Sequence, residues 1–168
     1  GLTEVNKEQI KSAQAIANPG CFATAIQLAL APLAAAKKLT QDVHINAITG
    51  STGAGAVPSA TSHFSWRNNN ISYYKPFVHQ HLGEIGETIA QAQGSAAKLH
   101  FLPVRGNFTR GIFATAYTPF DGNLEDAYDI FEEYYSDCPF TFVSHAPLAL
   151  KQVVNTNRCM IHLHMHEG

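Results

Sequence analysis

One short segment, residues 18–25 with the sequence Asn-Pro-Gly-Cys-Phe-Ala-Thr-Ala, constrains this chain more than any other. Pro19 fixes its own φ and Gly20 tolerates a positive φ, so the segment predicts a tight turn, plausibly of type II. The apolar run after Cys21 has the composition of a helix. Cys21 is therefore predicted to lie where a turn passes into the first turn of a helix.

This position gives Cys21 two possible roles. Free backbone N–H groups and the positive end of the helix dipole stabilise a thiolate, and the same groups hold an anion or a developing oxyanion. Most free cysteines, however, are small buried apolar residues. The turn by itself leaves a reactive thiol and a structural cysteine equally open.

The segment 17–25 resembles the active-site signature of N-acetyl-γ-glutamyl-phosphate reductases, the semialdehyde-forming enzymes of arginine biosynthesis. Further motifs of this family have similar counterparts in the same order along the chain: Leu28–Leu33, Ser51–Gly55, His79–Ile85 and Arg110–Thr115. One such match would be weak evidence, but the ordered set covers most of the sequence.

The resemblance implies the catalytic-domain fold shared by glyceraldehyde-3-phosphate dehydrogenase, in its C-terminal domain, and by semialdehyde dehydrogenases. We expect residues 1–168 to form one catalytic and dimerisation domain of the α+β class. Its mixed, mainly antiparallel sheet would carry helices on one face. Family members bind NADP mainly through a Rossmann domain that precedes the cysteine. The sequence contains no Gly-x-Gly-x-x-Gly turn after a strand, so we expect that domain to be absent and assign no cofactor-binding residue.

The implied reaction is the NADPH-dependent reduction of an N-acyl-γ-glutamyl phosphate to the semialdehyde through a thioester on Cys21. The acyl group is acetyl or succinyl. His81 or His79 would transfer protons, and Glu84 would fix the tautomer of the imidazole. The resemblance also implies a set of substrate-binding residues: Asn18, Gly20, Ser51, Gly53 and Arg110.

The glycine-rich loop 50–55 also suggests a nucleotide site, but it lacks the Lys-Ser/Thr of a P-loop. A flexible connection is the simpler interpretation, and the resemblance makes it a substrate-side loop near the thiol. Ala56 stands where family members usually have a basic residue, which leaves the anion-binding group unassigned. Arg67 is either a substrate clamp or, more simply, a solvated loop charge.

Two histidine groups suggest a metal, and we expect none. His79, His81 and Glu84 do not have a standard zinc spacing. His162, His164 and His166 would share one face of a terminal strand, which favours an exposed or interface strand over a metal site.

Composition limits the partners. The formal net charge of -2 argues against nucleic acid and acidic membranes, and the low charged fraction of 14% favours a buried interface, hence a homodimer or higher homo-oligomer. An odd count of 3 cysteines favours the reducing cytoplasm, and no transmembrane run is visible. Two other classes stay open: a cofactor-independent cysteine hydrolase or acyltransferase, and a non-catalytic dimerisation module.

Periodicity and turn residues predict the secondary structure. Asn6 and Asn123 are predicted N-caps, and Pro32 is predicted to kink its helix or begin a new turn. The predicted helices are Thr3–Ala17, Cys21–Ala31, Gly83–Ala92 and Asn123–Ser136; the predicted strands are Val43–Thr49, Ile71–Tyr74, Lys98–Val104, Phe108–Thr118, Phe140–Val143 and Arg158–His166.

Overall fold

The computed structural model describes residues 1–166. The helices are α1 (Thr3–Ser12), α2 (Cys21–Ala35), α3 (Phe64–Arg67), α4 (His81–Gln93) and α5 (Leu124–Tyr135). The strands are β1 (Val43–Thr49), β2 (Ser72–Tyr73), β3 (Leu99–Arg105), β4 (Ile112–Tyr117), β5 (Thr141–Ser144) and β6 (Cys159–His162). Short 3₁₀ turns occupy Ser51–Ala54, Ala60–Ser62 and Leu150–Gln152.

The main sheet is mixed and has the strand order β2-β3-β1-β4. β1 runs parallel to β3 and antiparallel to β4, and β2 runs antiparallel to β3. The expected α+β class with a mixed sheet is confirmed. The expectation of a single sheet is wrong, because β5 and β6 pair in parallel as a separate two-stranded sheet.

One face of the main sheet carries the hydrophobic core. Alternate residues of β1 are buried, as expected for a strand that is covered on one side. They pack under α2 and α4, which contact each other along their length. The members of this core include Phe22, Ile26, Val43, Ile45, Ile85, Ile89 and Phe101. The sheet thereby fixes the start of α2 relative to the start of α4.

Pro32 lies inside α2, which continues to Ala35. The prediction that the helix ends near Ala31 is therefore wrong, and the contacts explain how the proline is tolerated. Pro32 has no N–H for the carbonyl of Leu28, four residues earlier. That carbonyl instead accepts a hydrogen bond of 2.5 Å from the hydroxyl of Tyr135 on α5. A residue that is distant in sequence thus completes the bonding of the helix.

Several predicted bounds change. α1 ends at Ser12, and Asn6 is a non-helical kink inside it and not its N-cap, which is Leu2. α4 begins at His81, earlier than predicted, while β4 begins only at Ile112. The terminal strand β6 ends at His162, so His164 and His166 lie outside it and the predicted row of three histidines on one strand is wrong. Asn123 caps α5 as predicted, with a hydrogen bond from the amide of Asp126.

The other face of the main sheet has no packed helix among the described residues, and we call it the open face. Aromatic side chains stand on it: Phe113 and Tyr117 on β4 and Tyr73 on β2, which are 39%, 71% and 67% exposed. His44 stacks between Tyr117 and His100 at ring-centroid distances of 5.0 and 4.7 Å. No described helix is long and apolar enough to span a bilayer.

Candidate active site

The turn before Cys21 differs from the predicted one. Gly20 has φ -64° and ψ 158°, an extended conformation that any residue can adopt, so a type II turn with positive φ is not formed. A different constraint requires glycine here. A Cβ on Gly20 would lie 2.2 Å from Nε2 of His81, because the imidazole packs directly against the backbone. The glycine therefore makes room for a histidine.

Cys21 is the first residue of α2 and its side chain is exposed. No side chain caps this helix end, while the amide of Thr24 already donates to the carbonyl of Gly20 at 2.8 Å. Of the three N–H groups at the start of α2 that have no intrahelical acceptor, those of Phe22 and Ala23 belong to fully buried residues, so the Cys21 N–H is the one that an anion beside the thiol can reach.

The other two cysteines are poor nucleophiles. Burial raises the pKa of Cys138, and burial followed by the charge of Glu4 raises the pKa of Cys159 to about 11. A thiol reacts as its thiolate, so Cys21 is the candidate nucleophile among the three.

His81 lies in the first turn of α4, half-buried, with its ring facing the start of α2. Its Nδ1 is buried and has no hydrogen-bond partner among the described residues. Nε2 lies against Gly20, the residue that precedes the thiol. This imidazole is therefore placed to take a proton near Cys21.

His79 is buried, 4% exposed, and its Nδ1 accepts the backbone N–H of His81 at 3.2 Å. Its ring packs against the rings of Phe22, Tyr74 and Phe101 at 5.5–5.6 Å. Burial, then the charge of His81, lowers its pKa from 6.5 to about 4. His79 is thus neutral at pH 7 and supports the backbone at His81, whereas proton transfer fits His81 better.

Glu84 does not bond an imidazole. Its two carboxylate oxygens accept the amide N–H of Gly20 at 3.2 and 3.3 Å. The backbone carbonyl of Glu84 in turn accepts a hydrogen bond from the side-chain amide nitrogen Nε2 of Gln27 on α2 at 3.2 Å. The expected role of Glu84 in fixing a tautomer is therefore replaced by a different contact: it ties the turn before the thiol to α4.

The predicted substrate loops pack on each other. The Ser51 hydroxyl donates to the carbonyl of Phe108, and the amide and hydroxyl of Thr52 donate to the carbonyl of Thr109. Arg110 and Gly53 are exposed, as is Asn18 near the thiol turn. The loop amides are therefore used within the protein, which disfavours a phosphate cradle at residues 50–55.

Arg67 is neither a solvated charge nor a substrate clamp. It is 5% exposed, and its guanidinium donates to four acceptors at 2.8–3.2 Å: the carbonyls of Thr61, Asn70 and Arg105 and the hydroxyl of Ser72. Burial, then the charge of Arg105, lowers its pKa. Arg67 holds the end of β3 in place and is a structural residue.

Two residues near the thiol, Tyr74 and Arg105, escaped the sequence analysis as site residues. The guanidinium of Arg105 lies over the Tyr74 ring, 4.6 Å from its centroid. The Tyr74 ring in turn lies 6.5 Å from that of Phe22. Strand alternation provides a signal, because Arg105 shares the helix-facing side of β3 with buried Phe101.

Replacing Gly20 with alanine should displace His81, because the new Cβ would occupy the position of the ring. We expect alkylation of Cys21 by iodoacetamide to slow about tenfold, as misplaced catalytic groups commonly cost one to two orders of magnitude. The rate is measured by peptide mapping over time. Gly83→Ala is the matched control, since its Cβ would meet nothing within 4 Å and the rate should stay unchanged. An unchanged rate in Gly20→Ala would contradict the contact.

Buried His79 should make the stability of the fold depend on pH. Between pH 6.5 and about 4 the unfolded histidine binds a proton that the folded one does not, so the free energy of unfolding falls as pH falls. Above pH 6.5 both states are neutral and this contribution is constant. Relative to His79→Gln, the wild type should lose about 2 kcal/mol between pH 7 and 4.5.

Urea denaturation of both proteins at the two pH values measures this difference. His145→Gln serves as the control, since that side chain is 67% exposed and pairs with Glu132 at the surface. Parallel pH profiles for the wild type and His79→Gln would show that His79 is accessible to protons in the folded state.

Comparison with known proteins relates the chain to one group of enzymes. The sequence profile of the semialdehyde dehydrogenase dimerisation domain matches residues 21–168. An N-acetyl-gamma-glutamyl-phosphate reductase of Azobacteroides pseudotrichonymphae is 59% identical over 166 residues, which cover 99% of this chain and 51% of that protein. The reductase of Parabacteroides distasonis is 58% identical over 164 residues, which cover 97% and 51%. The chain spans about half the length of the curated relatives that it matches.

Solved structures agree on the fold. Aspartate semialdehyde dehydrogenase II from Vibrio cholerae superposes with a TM-score of 0.67 at 12% sequence identity, over 96% of this chain and 56% of that chain. A probable aspartate-semialdehyde dehydrogenase from Pseudomonas aeruginosa gives a TM-score of 0.60 at 13% identity, over the same shares of the two chains. At these identities the likeness is one of architecture.

Proposed function

The chain belongs to the semialdehyde dehydrogenase dimerisation-domain family, and from that premise we propose that it is the catalytic and dimerisation domain of an N-acyl-γ-glutamyl-phosphate reductase. The relatives that match it along nearly its whole length carry the name N-acetyl-gamma-glutamyl-phosphate reductase. The substrate in this proposal is an N-acylated γ-glutamyl phosphate and the product its semialdehyde, a step of arginine biosynthesis.

The observation that carries the proposal is the meeting of two helix ends. Exposed Cys21 begins α2, and His81 at the start of α4 packs its imidazole against the preceding Gly20. A thiol, a proton acceptor and a free helix N–H group are the parts that acyl transfer through a thioester requires.

In the first half-reaction Cys21 is the nucleophile. Nε2 of His81 takes the thiol proton, and the sulfur forms a bond to the acyl carbon of the substrate. The bond between that carbon and the bridging phosphate oxygen breaks, and inorganic phosphate leaves with its electron pair. The Cys21 N–H at the start of α2 stabilises the negative charge that develops on the acyl oxygen. Glu84 keeps the turn in place through the Gly20 amide.

NADPH would supply the hydride that reduces the thioester. The glycine-rich loop 50–55 does not fit the pyrophosphate of this cofactor, because the Ser51 and Thr52 amides already donate to backbone carbonyls. We therefore assign NADP binding to a Rossmann domain outside this chain, and no residue here to hydride transfer. Such a domain would also cover the exposed side of Cys21.

Intact-protein mass spectrometry after incubation with the acyl phosphate tests the proposal. One acyl group should be added, and peptide mapping should place it on Cys21 and not on Cys138 or Cys159. The isolated chain should show no NADPH oxidation. Continuous phosphate release without NADPH would instead indicate a cofactor-independent hydrolase. Absence of any adduct in a folded dimer would favour a non-catalytic module.

We also propose that the chain forms a homodimer through the open face. The support is physical: exposed Tyr73, Phe113 and Tyr117 occupy one sheet face that no described helix covers. Apolar and aromatic surface of this kind is typical of subunit interfaces.

The three cysteines are free thiols, which suits the reducing cytoplasm that we propose for this enzyme.

A further inference from the structure

We propose that Arg105, whose guanidinium lies over the ring of Tyr74, binds a carboxylate of the substrate. The choice of a carboxylate over the phosphoryl group, and its naming as part of an N-acylglutamyl group, rest on the proposed function. The anion site itself follows from the surroundings of Arg105.

Arg105 is firmly positioned. It ends β3, opposite Thr49 of β1 and Ser72 of β2, on the side of the sheet that faces the helices. Its carbonyl accepts a hydrogen bond of 2.8 Å from the buried guanidinium of Arg67. The backbone from which the Arg105 side chain extends is therefore fixed, as a binding residue requires.

The charge of Arg105 has no counter-ion. No carboxylate of residues 1–166 forms an ion pair with it, and its Nε is buried without a hydrogen-bond partner. The charged neighbour is another cation, Arg67, whose pKa it helps to lower. A half-buried guanidinium with an unsatisfied donor beside a second guanidinium is stabilised when an anion binds.

Tyr74 connects this cation to the thiol. Its ring lies 4.6 Å from the Arg105 guanidinium carbon, 5.6 Å from the ring of His79 and 6.5 Å from that of Phe22, the neighbour of Cys21. Burial raises the pKa of Tyr74, hydrogen bonding and charge from Arg105 lower it, and the charge of Cys21 raises it. Tyr74 therefore interacts electrostatically with both the Arg105 guanidinium and the Cys21 thiol.

The anion that fits is a carboxylate and not the reacting phosphoryl group. The reacting group must lie at Cys21, where the free N–H of that residue receives its charge. Arg105 lies across the Tyr74 ring and so meets a different part of the substrate. A glutamyl phosphate carries its α-carboxylate a few bonds from the acyl carbon, and a guanidinium binds a carboxylate through paired hydrogen bonds.

The competing cations fit less well. Arg110 is exposed on the loop before β4, and Ala56, where the family resemblance led us to expect a basic residue, carries no charge. Lys75 has positive φ and its ammonium donates to the side chain of Gln80 at 3.0 Å. Arg105 is therefore the cation that we assign to the substrate carboxylate.

Alkylation of Cys21 by reagents of different charge tests the position of Arg105. We measure the ratio of the rate constants for anionic N-iodoacetylglycine, whose carboxylate lies several bonds from the reacting carbon as in a glutamyl group, and for neutral N-iodoacetylglycinamide, by mass spectrometry of the Cys21 peptide. Arg105→Met should lower this ratio about tenfold, because it removes a charge-assisted contact to the reagent carboxylate. Arg105→Lys keeps the charge but cannot form the paired hydrogen bonds, so it should restore only part of the ratio. Arg158→Met removes the same charge from an exposed guanidinium over the Phe142 ring and should leave the ratio unchanged.

Titration of the chain with N-acetylglutamate, followed by NMR, tests the ligand independently of thiol reactivity. The dissociation constant should rise about tenfold or more in Arg105→Met. Inorganic phosphate is titrated in parallel, and its binding should be unaffected. Weaker binding of phosphate alone would reassign Arg105 to the phosphoryl group and overturn the carboxylate assignment.

The outcomes separate the two proposals. An inert Cys21 in the wild type would count against the thioester chemistry but not against the N-acetylglutamate titration. Equal alkylation ratios and equal N-acetylglutamate affinities in the wild type and Arg105→Met would overturn the anion site while leaving Cys21 as the nucleophile. Circular dichroism melts of each variant verify that the fold is retained.

Discussion

Replacing Cys21 with serine is expected to lower the rate of acyl transfer from the acyl phosphate by a factor on the order of 10⁴ or more. Cys21 is the exposed thiol at an uncapped helix end. A serine hydroxyl at the same place is almost fully protonated and is a far weaker nucleophile than a thiolate. The helix N–H and His81 would remain but would have no adequate nucleophile to assist.

Phosphate release in a single turnover and the mass of the acylated protein measure this effect together. Cys159→Ser is the control, because burial raises the pKa of that thiol to about 11 and its loss should leave the rate unchanged. Acylation that survives in Cys21→Ser, or disappears in Cys159→Ser, would remove Cys21 from its assigned role. The melting temperature of Cys21→Ser should stay near that of the wild type, since the side chain is exposed.

Replacing Phe113 with aspartate is expected to dissociate the proposed homodimer, raising its dissociation constant at least about 100-fold. Phe113 lies on the open face of the main sheet and is 39% exposed. Its cross-strand partner is Ile48 of β1. In a symmetric interface each subunit contributes one aspartate. Each carboxylate would lose its hydration without gaining a hydrogen-bond donor or a positive charge.

Sedimentation equilibrium over micromolar concentrations measures the dimer. Phe142→Asp is a matched control, because Phe142 is similarly exposed, at 40%, but lies on β5 and not on the open face. The guanidinium of Arg158 lies over its ring. This variant should remain dimeric. A dimeric Phe113→Asp would place the interface elsewhere, and dissociation of Phe142→Asp would point to the β5–β6 sheet.

Local sequence signals predicted the parts of the fold that depend on neighbours in the chain. β1 matches its predicted bounds, and Asn123 caps α5, because alternation and capping are properties of a few consecutive residues. Cys21 begins its helix for the same reason. The order of motifs along the chain predicted the fold class for a different reason, since it resembles that of a known family.

The features that the sequence did not predict depend on contacts between residues that lie far apart in the chain. Gly20 was explained by a turn, whereas its actual constraint is the ring of His81, 61 residues further along the sequence. Arg67 was expected to be a solvated charge or a substrate clamp, because its four acceptors come together only when the end of β3 pairs with β2 and the segment before β2 has folded. Arg105 was not predicted as a site residue, since its unpaired state becomes visible only beside Tyr74.

The bond between Glu84 and the Gly20 amide has a consequence for how substrate enters and leaves. Cys21 and His81, the proposed nucleophile and proton acceptor, lie in the first turns of two helices that pack on each other, and this bond ties the two turns together. Such a pair moves as one rigid body and has no hinge between its reacting groups. Any gating of the reaction would then be a rigid-body motion of a neighbouring domain over a stationary thiol, and the rate of that motion could limit turnover without altering the geometry of the chemistry.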